Sequence, residues 1–223
     1  MGKMRIALAL VPGLLAAHEP ITTKLTWTQE ISRIVYKRCL ACHYTGSQIP
    51  LVTYDEARPW AKAIRDEVLE RRMPPWGAVK GFGEFRDDHS LTQPEIDMIV
   101  NWVEGGAPKG DDIYLPAVPP APPKTAPVRP ARGLTVRTEL KLKADLTVAA
   151  IRPLGLDAGG WMQVLATLPD GSVRSLLWLR DYRKDWTRAY QLREPLRLPA
   201  GARITVHSAP PAAAVISSVT PAR

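Results

Sequence analysis

Two domains are predicted, an all-α part followed by a small antiparallel all-β, sandwich-like part. Three observations predict them. Residues 24–112 carry a helical spacing of apolar residues behind repeated capping boxes, residues 113–133 are rich in proline, and residues 134–208 alternate apolar and polar side chains with a period of two.

Each element can be justified in turn. Thr26 with Gln29 has the form of a capping box, in which a Thr side chain and a residue three positions on satisfy each other's backbone N–H groups. It opens a helix through Ile31, Ile34 and Val35 that runs into Cys39. Thr53 with Glu56 repeats the device, and Pro59 starts a second helical stretch whose apolar face is Ala63, Ile64, Val68 and Leu69. Thr92 with Glu95 opens a third helix, striped by Ile96, Ile99, Val100 and Val103 and ended by Gly105 and Gly106. Between Ile113 and Arg132 seven prolines alternate with alanine, which describes an extended, semi-stiff linker. Beyond it, "LTVRTELKLKA" reads as a strand with Leu134, Val136, Leu140 and Leu142 on one face. "WMQVLATLPDGSVRSLLWL" reads as a hairpin turning at Pro169-Asp170-Gly171, and "RLPAGARITVHS" adds a turn and a strand. Residues 209–223 read as a flexible tail.

The first 17 residues have the layout of a secretory signal peptide: Lys3 and Arg5, an apolar run from Ile6 to Leu15, then Ala16 and Ala17. The run is interrupted by Pro12 and Gly13 and falls short of the ~20 residues of a spanning helix. A cleaved leader and a periplasmic, exported protein are expected, with an uncleaved membrane anchor as the alternative. Charge is divided unevenly. Residues 24–112 hold 12 Lys+Arg against 14 Asp+Glu, and residues 113–223 hold 16 against 7. For an exported chain the basic half points to an acidic protein partner or anionic lipid and excludes nucleic acid.

The chain's two cysteines stand together in "KRCLACHYTGSQ", Cys39 and Cys42 followed at once by His43. A redox dithiol of thioredoxin type needs a βαβ setting, which this region lacks. A structural zinc site needs four ligands, and the adjacent Cys42 and His43 are badly placed to chelate one ion. Covalent haem attachment needs neither: two thiols add to the two vinyl groups and the next His meets the iron. The pattern therefore predicts one covalent haem c, which would also fill the core of a short helical domain.

Around that pattern the chain resembles class I cytochromes c. More narrowly, "TYDEARPWAKAI", "MPPW" and "SLTQPEIDMIVNWVEGGAPKGD" are similar to the monohaem cytochrome c domain of some exported bacterial proteins, over residues 27–112. The resemblance implies a cytochrome c fold for residues 24–112, with His43 and Met73 as axial iron ligands. Met73 follows a helix end and is backed by Pro74-Pro75. His89, in a charged run, and Met98, within the last helix, suit the role less. Tyr54, Arg58, Trp60 and Trp76 match positions that could flank the haem or its propionates.

In that family the haem domain is often followed by a module similar to copper type II, ascorbate-dependent monooxygenases. "ATLPDGSVRSLLWL" and "DWTRAYQLREPLRLPAGARITVHS" resemble its closing half. Where copper-binding relatives carry a His-Met-His stretch, this chain has Leu154-Gly155-Leu156, and His207 stands alone. No copper is expected, because leucine offers no donor atom. The function expected is electron transfer with a redox partner protein, in which a membrane-associated complex is one setting, and no enzymatic activity. The metal-free β domain would serve docking through "RSLLWLRDYRKDWTR", where basic and aromatic residues interleave. The alternatives are an accessory subunit of a larger redox complex, or an electron donor to a copper-monooxygenase-type enzyme.

Overall fold

A computed structural model of the chain describes residues 24–121, 133–186 and 188–218. The predicted leader at 1–17, the linker residues 122–132 and the last five residues lie outside the described residues. Among those described, no helix is long and apolar enough to cross a membrane.

Near the N-terminus, Thr26 caps a π turn at Trp27–Ile31 that continues into α1, Ser32–Arg38. The Thr26 side chain accepts from the Gln29 N–H as expected. The reciprocal bond comes from Glu30, whose carboxylate accepts from the Thr26 N–H at 2.9 Å. A capping box on Thr53 and Glu56 opens α2, Tyr54–Ala57. A 3-10 turn at Arg58–Trp60 leads into α3, Ala61–Leu69. A second box, on Thr92 and Glu95, opens α4, Gln93–Glu104. Trp27, Ile31, Val35, Ile99 and Trp102 are nearly inaccessible and form the centre of this layer. The indole rings of Trp27 and Trp102 lie 6.2 Å apart, and the Trp102 N–H donates to the Pro108 carbonyl at 3.0 Å. The first residues of the proline-rich stretch lie against it, since the Tyr44 hydroxyl donates to the Pro119 carbonyl at 3.1 Å.

Eight strands follow: β1 (Gly133–Val136), β2 (Glu139–Lys141), β3 (Leu146–Leu154), β4 (Trp161–Thr167), β5 (Val173–Leu179), β6 (Tyr190–Leu198), β7 (Arg203–Ala209) and β8 (Ala213–Ser218). They form two four-stranded antiparallel sheets, ordered β1-β8-β3-β6 and β2-β7-β4-β5. Val148, Ile151, Met162, Val164, Leu176, Leu177, Ile204 and Ile216 fill the space between them.

An all-α cytochrome c domain followed by a small β domain is therefore not what the chain builds. Among the described residues the structure is mostly β, and the helices are short, the longest being the 12 residues of α4. Each capping box and apolar stripe specifies one short helix, and most helical stability comes from packing, not from local propensity. Nor is the helical layer self-contained. Between α3 and α4 the chain crosses to the sheets and lies along two of their edges. Val79 N–H donates to the Trp178 carbonyl on β5 at 2.8 Å, and Arg193 N–H on β6 donates to the Glu84 carbonyl at 2.8 Å. Ala78 and Phe85 are buried in the sheet core. Covering open strand edges in this way satisfies groups that would otherwise invite another chain. Gly83 makes the approach possible: its φ is +92°, and a Cβ there would stand 2.5 Å from the Leu176 carbonyl oxygen.

Three further expectations are corrected. Residues 209–223 are not simply a tail, because Ala213–Ser218 is β8, an inner strand between β1 and β3. The single strand expected over 134–144 is two strands in different sheets, separated at Arg137-Thr138. Strand β3 has no counterpart in the sequence-based reading.

Candidate functional site

The end of α1 begins the site. Arg38 is the last helical residue, and its guanidinium forms an ion pair with Glu95 at 2.9 Å and donates to the Asp88 carbonyl at 3.2 Å. The pair ties the end of α1 to the capped start of α4. Burial alone would push the Glu95 carboxyl up, but bonds from the Thr92 backbone N–H and Arg38 overcome it and hold the carboxyl below the usual range. Beyond Arg38 the chain tightens, with the N–H groups of Cys42 and His43 both donating to the Cys39 carbonyl, at 3.1 and 2.9 Å. That turn brings two thiols and an imidazole to one place. The His43 ring is fixed by a 2.7 Å contact between Nδ1 and the Ile49 carbonyl. With Nδ1–H donating there, Nε2 is the nitrogen left to bind a metal.

Helix α3 supplies a second wall, and its C-terminus places Met73. The Arg72 N–H donates to the Glu67 carbonyl at 2.8 Å and the Arg71 N–H to the Val68 carbonyl at 3.1 Å. This is the paired bonding of a Schellman motif, with Arg71 in the left-handed position at φ 53° where glycine is usual. Arg72 also holds the Glu67 carboxylate through two 2.8 Å bonds. The chain so reversed carries Met73 and Pro74-Pro75 back toward the cysteines.

These stretches enclose a cavity of about 380 Å³ lined by Cys39, Cys42, His43, Ile64, Val68 and Met73, with Trp60, Ala63, Pro74, Pro75, His89 and Arg188 among its other walls. Its volume falls in the range of about 300–1,000 Å³ typical of small-molecule and cofactor sites. The apolar face read along α3 is not spent entirely on the protein core. Ala63 is exposed and Ile64 half-buried, both toward the cavity, while Trp60 and Met73 are 44% and 42% accessible. Apolar side chains left open on a concave wall fit a large apolar cofactor.

The thiols are unlike one another. Cys42 is exposed, whereas burial, then the neighbouring Cys42, pushes the Cys39 thiol up to about 12. Disulfide oxidoreductases rely on a cysteine whose pKa is lowered, and the shift at Cys39 runs the other way. Among the described residues no three His, Cys, Asp or Glu side chains are grouped to hold a metal ion. A haem iron takes only two protein ligands, and the residues here fit that demand: two thiols, an oriented imidazole and a thioether on the walls of one apolar cavity.

Of the predicted surroundings, only Trp60 lines the cavity. Tyr54 is a core residue, its hydroxyl donating to the Ala107 carbonyl at 3.0 Å. Arg58 donates to the Gly106 carbonyl at 3.1 Å. Trp76 packs on the sandwich, 5.2 Å from the Tyr190 ring. Met98 lies on α4 away from the cavity, whereas His89 lines it despite its charged sequence neighbours. Arg38 and Arg188 are wall residues that sequence reasoning missed. No signal in "DWTRAY" links Arg188 to cysteines nearly 150 positions earlier. On the sandwich, Leu154 is exposed and Leu156 buried at the end of β3, and His207 projects alone from β7. Trp186 and Tyr182 are buried, so the aromatics expected to interleave with arginine on a docking surface belong partly to the core.

No family model matches the chain, and no curated protein matches it either.

Proposed function

We propose that this is an exported protein that holds one haem c covalently through Cys39 and Cys42, with His43 and Met73 as axial ligands, and passes single electrons to a redox partner. It catalyses no reaction of its own. When bound, the haem supplies one-electron chemistry at its iron. Around it, the Ile49 carbonyl orients the His43 imidazole, the Schellman turn after α3 carries the Met73 thioether, and Ile64, Val68 and Trp60 keep water from the ring. A thioether ligand and an apolar wall both favour a high potential. The export assignment rests on the layout of residues 1–17. The sandwich, with leucine where copper ligands would stand, binds no copper and offers the exposed cations Arg180, Arg183 and Lys184 to an acidic partner surface.

One observation carries the reading: the CxxCH turn and Met73 line the same apolar cavity. One observation favours a variant of it, since His89 lines that cavity too. Absorption spectra of the oxidised protein separate them. A weak far-red charge-transfer band that disappears in Met73→Ala supports the thioether, and Met73→Ala then also binds carbon monoxide once reduced. A bis-histidine spectrum that persists in Met73→Ala and is lost in His89→Ala assigns the ligand to His89 instead. Wild-type protein without a haem spectrum after maturation in a haem-attaching host refutes both.

A further inference from the structure

The cavity is not built by the helical layer alone. Arg188 reaches it from the connection between β5 and β6, on the sandwich. Its guanidinium lies 5.5 Å from the centre of the Trp76 ring, so the indole face holds it in place. The two arginines on the cavity wall differ in one respect. Arg38 is neutralised by Glu95 at 2.9 Å. Half-buried Arg188 makes no ion pair among the described residues. The carboxylate that lines the cavity, Glu67, is engaged twice by Arg72. The cavity therefore presents a cation for which the described residues supply no counter-charge, and a half-buried, unpaired charge is costly.

We infer that Arg188 pairs with a carboxylate of the cofactor, a haem propionate, and that the sandwich thereby completes the haem site. The inference rests on the haem reading above. A planar guanidinium suits a carboxylate through two parallel N–H···O bonds, which a lysine reproduces only in part. The pair does two things. It fixes the cofactor's orientation from a part of the chain distant from the attachment residues, and it lowers the cost of adding an electron, because a cation beside the ring favours the less positive iron. The expectation that the β region only docks a partner is then too narrow, since one of its cations helps set the redox property of the site.

The test is a potentiometric titration of intact, haem-loaded protein in wild type, Arg188→Gln, Arg188→Lys and Arg174→Gln. Wild type is first shown to keep its haem through denaturing extraction, and loss there refutes the haem reading itself. Given retention, Arg188→Gln should keep covalent haem and the axial-ligand bands while its potential shifts downward. Arg188→Lys should recover most of that shift, and Arg174→Gln, an exposed cation on β5 outside the cavity, should show none. An unchanged potential in Arg188→Gln overturns the inference. So does an equal shift in Arg174→Gln, which would reduce the effect to overall charge, or an Arg188→Lys protein as shifted as Arg188→Gln. If Arg188→Gln is too unstable to titrate, the comparison of Arg188→Lys with wild type decides: a smaller downward shift supports the pairing and none removes it.

Discussion

The helical layer and the sandwich are similar in length, yet they solve the problem of a core differently. The sandwich closes two sheets over aliphatic side chains such as Val148, Ile151, Leu177 and Ile204, each with essentially no accessible surface. The helical layer centres on the indoles of Trp27 and Trp102 and leaves, between α1 and α3, an apolar cavity of about 380 Å³. Short helices bury little surface by themselves, and a region of this size has few apolar residues to spare. What the comparison teaches is that the unfilled half is the half with chemistry. Its open wall carries thiols, an imidazole and a thioether, whereas the space between the two sheets is filled by aliphatic side chains.

That contrast can be broken by mutation, and the largest expected effect lies in the helical core. Trp102→Ala removes a side chain that is 1% exposed along with its hydrogen bond to Pro108. It should cost about 3–5 kcal/mol. Because Ala78 and Phe85, between α3 and α4, are buried in the sandwich core, calorimetry should show a single transition at a lowered temperature. A sandwich that still melts at its wild-type temperature would show that the two regions unfold independently.

Next is the ion pair that anchors the cysteine turn. Glu95→Gln leaves Arg38, 8% accessible, without its carboxylate, and should destabilise by about 3 kcal/mol. The pH dependence has a definite sign. The Glu95 carboxyl is held below its unfolded value, so its contribution is fully present above that value, about 4.3, and is lost as pH falls through the lower folded value. Denaturant midpoints measured as pH falls below about 4.3 should drop less steeply in Glu95→Gln than in wild type. Equal slopes would remove Glu95 as the source.

Within the sandwich, Ile151→Val trims a fully buried methylene and should cost about 0.5–1.5 kcal/mol. The haem spectrum should not change. A changed axial-ligand band would mean that the sheet core and the cavity are coupled more closely than Arg188 alone provides.

The smallest effect compares two helix ends of the same type. Helix α4 ends with Gly106 at φ +91°, its N–H bonded to Val103, while α3 ends with Arg71 at φ 53°. Arg71→Gly relieves the left-handed strain and gives up a bond to Gln93. A net gain below about 1 kcal/mol is expected from thermal denaturation. A loss would show that the Arg71–Gln93 bond outweighs the strain.

Much of this was legible. Both complete capping boxes stand where Thr53-Glu56 and Thr92-Glu95 announced them, and Pro169-Asp170-Gly171 turns the β4–β5 hairpin. The rest was hidden for physical reasons. Strand β8 is buried along almost its whole length as an inner strand, so "AAVISS" shows no alternation. Strand β3 carries a bulge between Val148 and Ala150 that breaks its period. The segment "WGAVKGFGEF" sits on the sheet edges through backbone bonds and through Trp76, Ala78 and Phe85, whose spacing follows neither the helical nor the strand period. Within the site, the CxxCH residues and Met73 could be found from local motifs. Arg188 could not, because only the tertiary fold brings it to the cavity, and His89, set behind Met73 for its charged neighbours, is placed on the same wall by the fold alone.

The central claim is covalent haem on Cys39 and Cys42, and intact-mass spectrometry under denaturing conditions tests it most directly. Protein matured in a host that attaches haem should carry the mass of one haem per chain, retained after acid extraction. The Cys39→Ala, Cys42→Ala double variant should carry none. A wild-type chain at its bare polypeptide mass, or a double variant that still retains haem through extraction, would contradict the account.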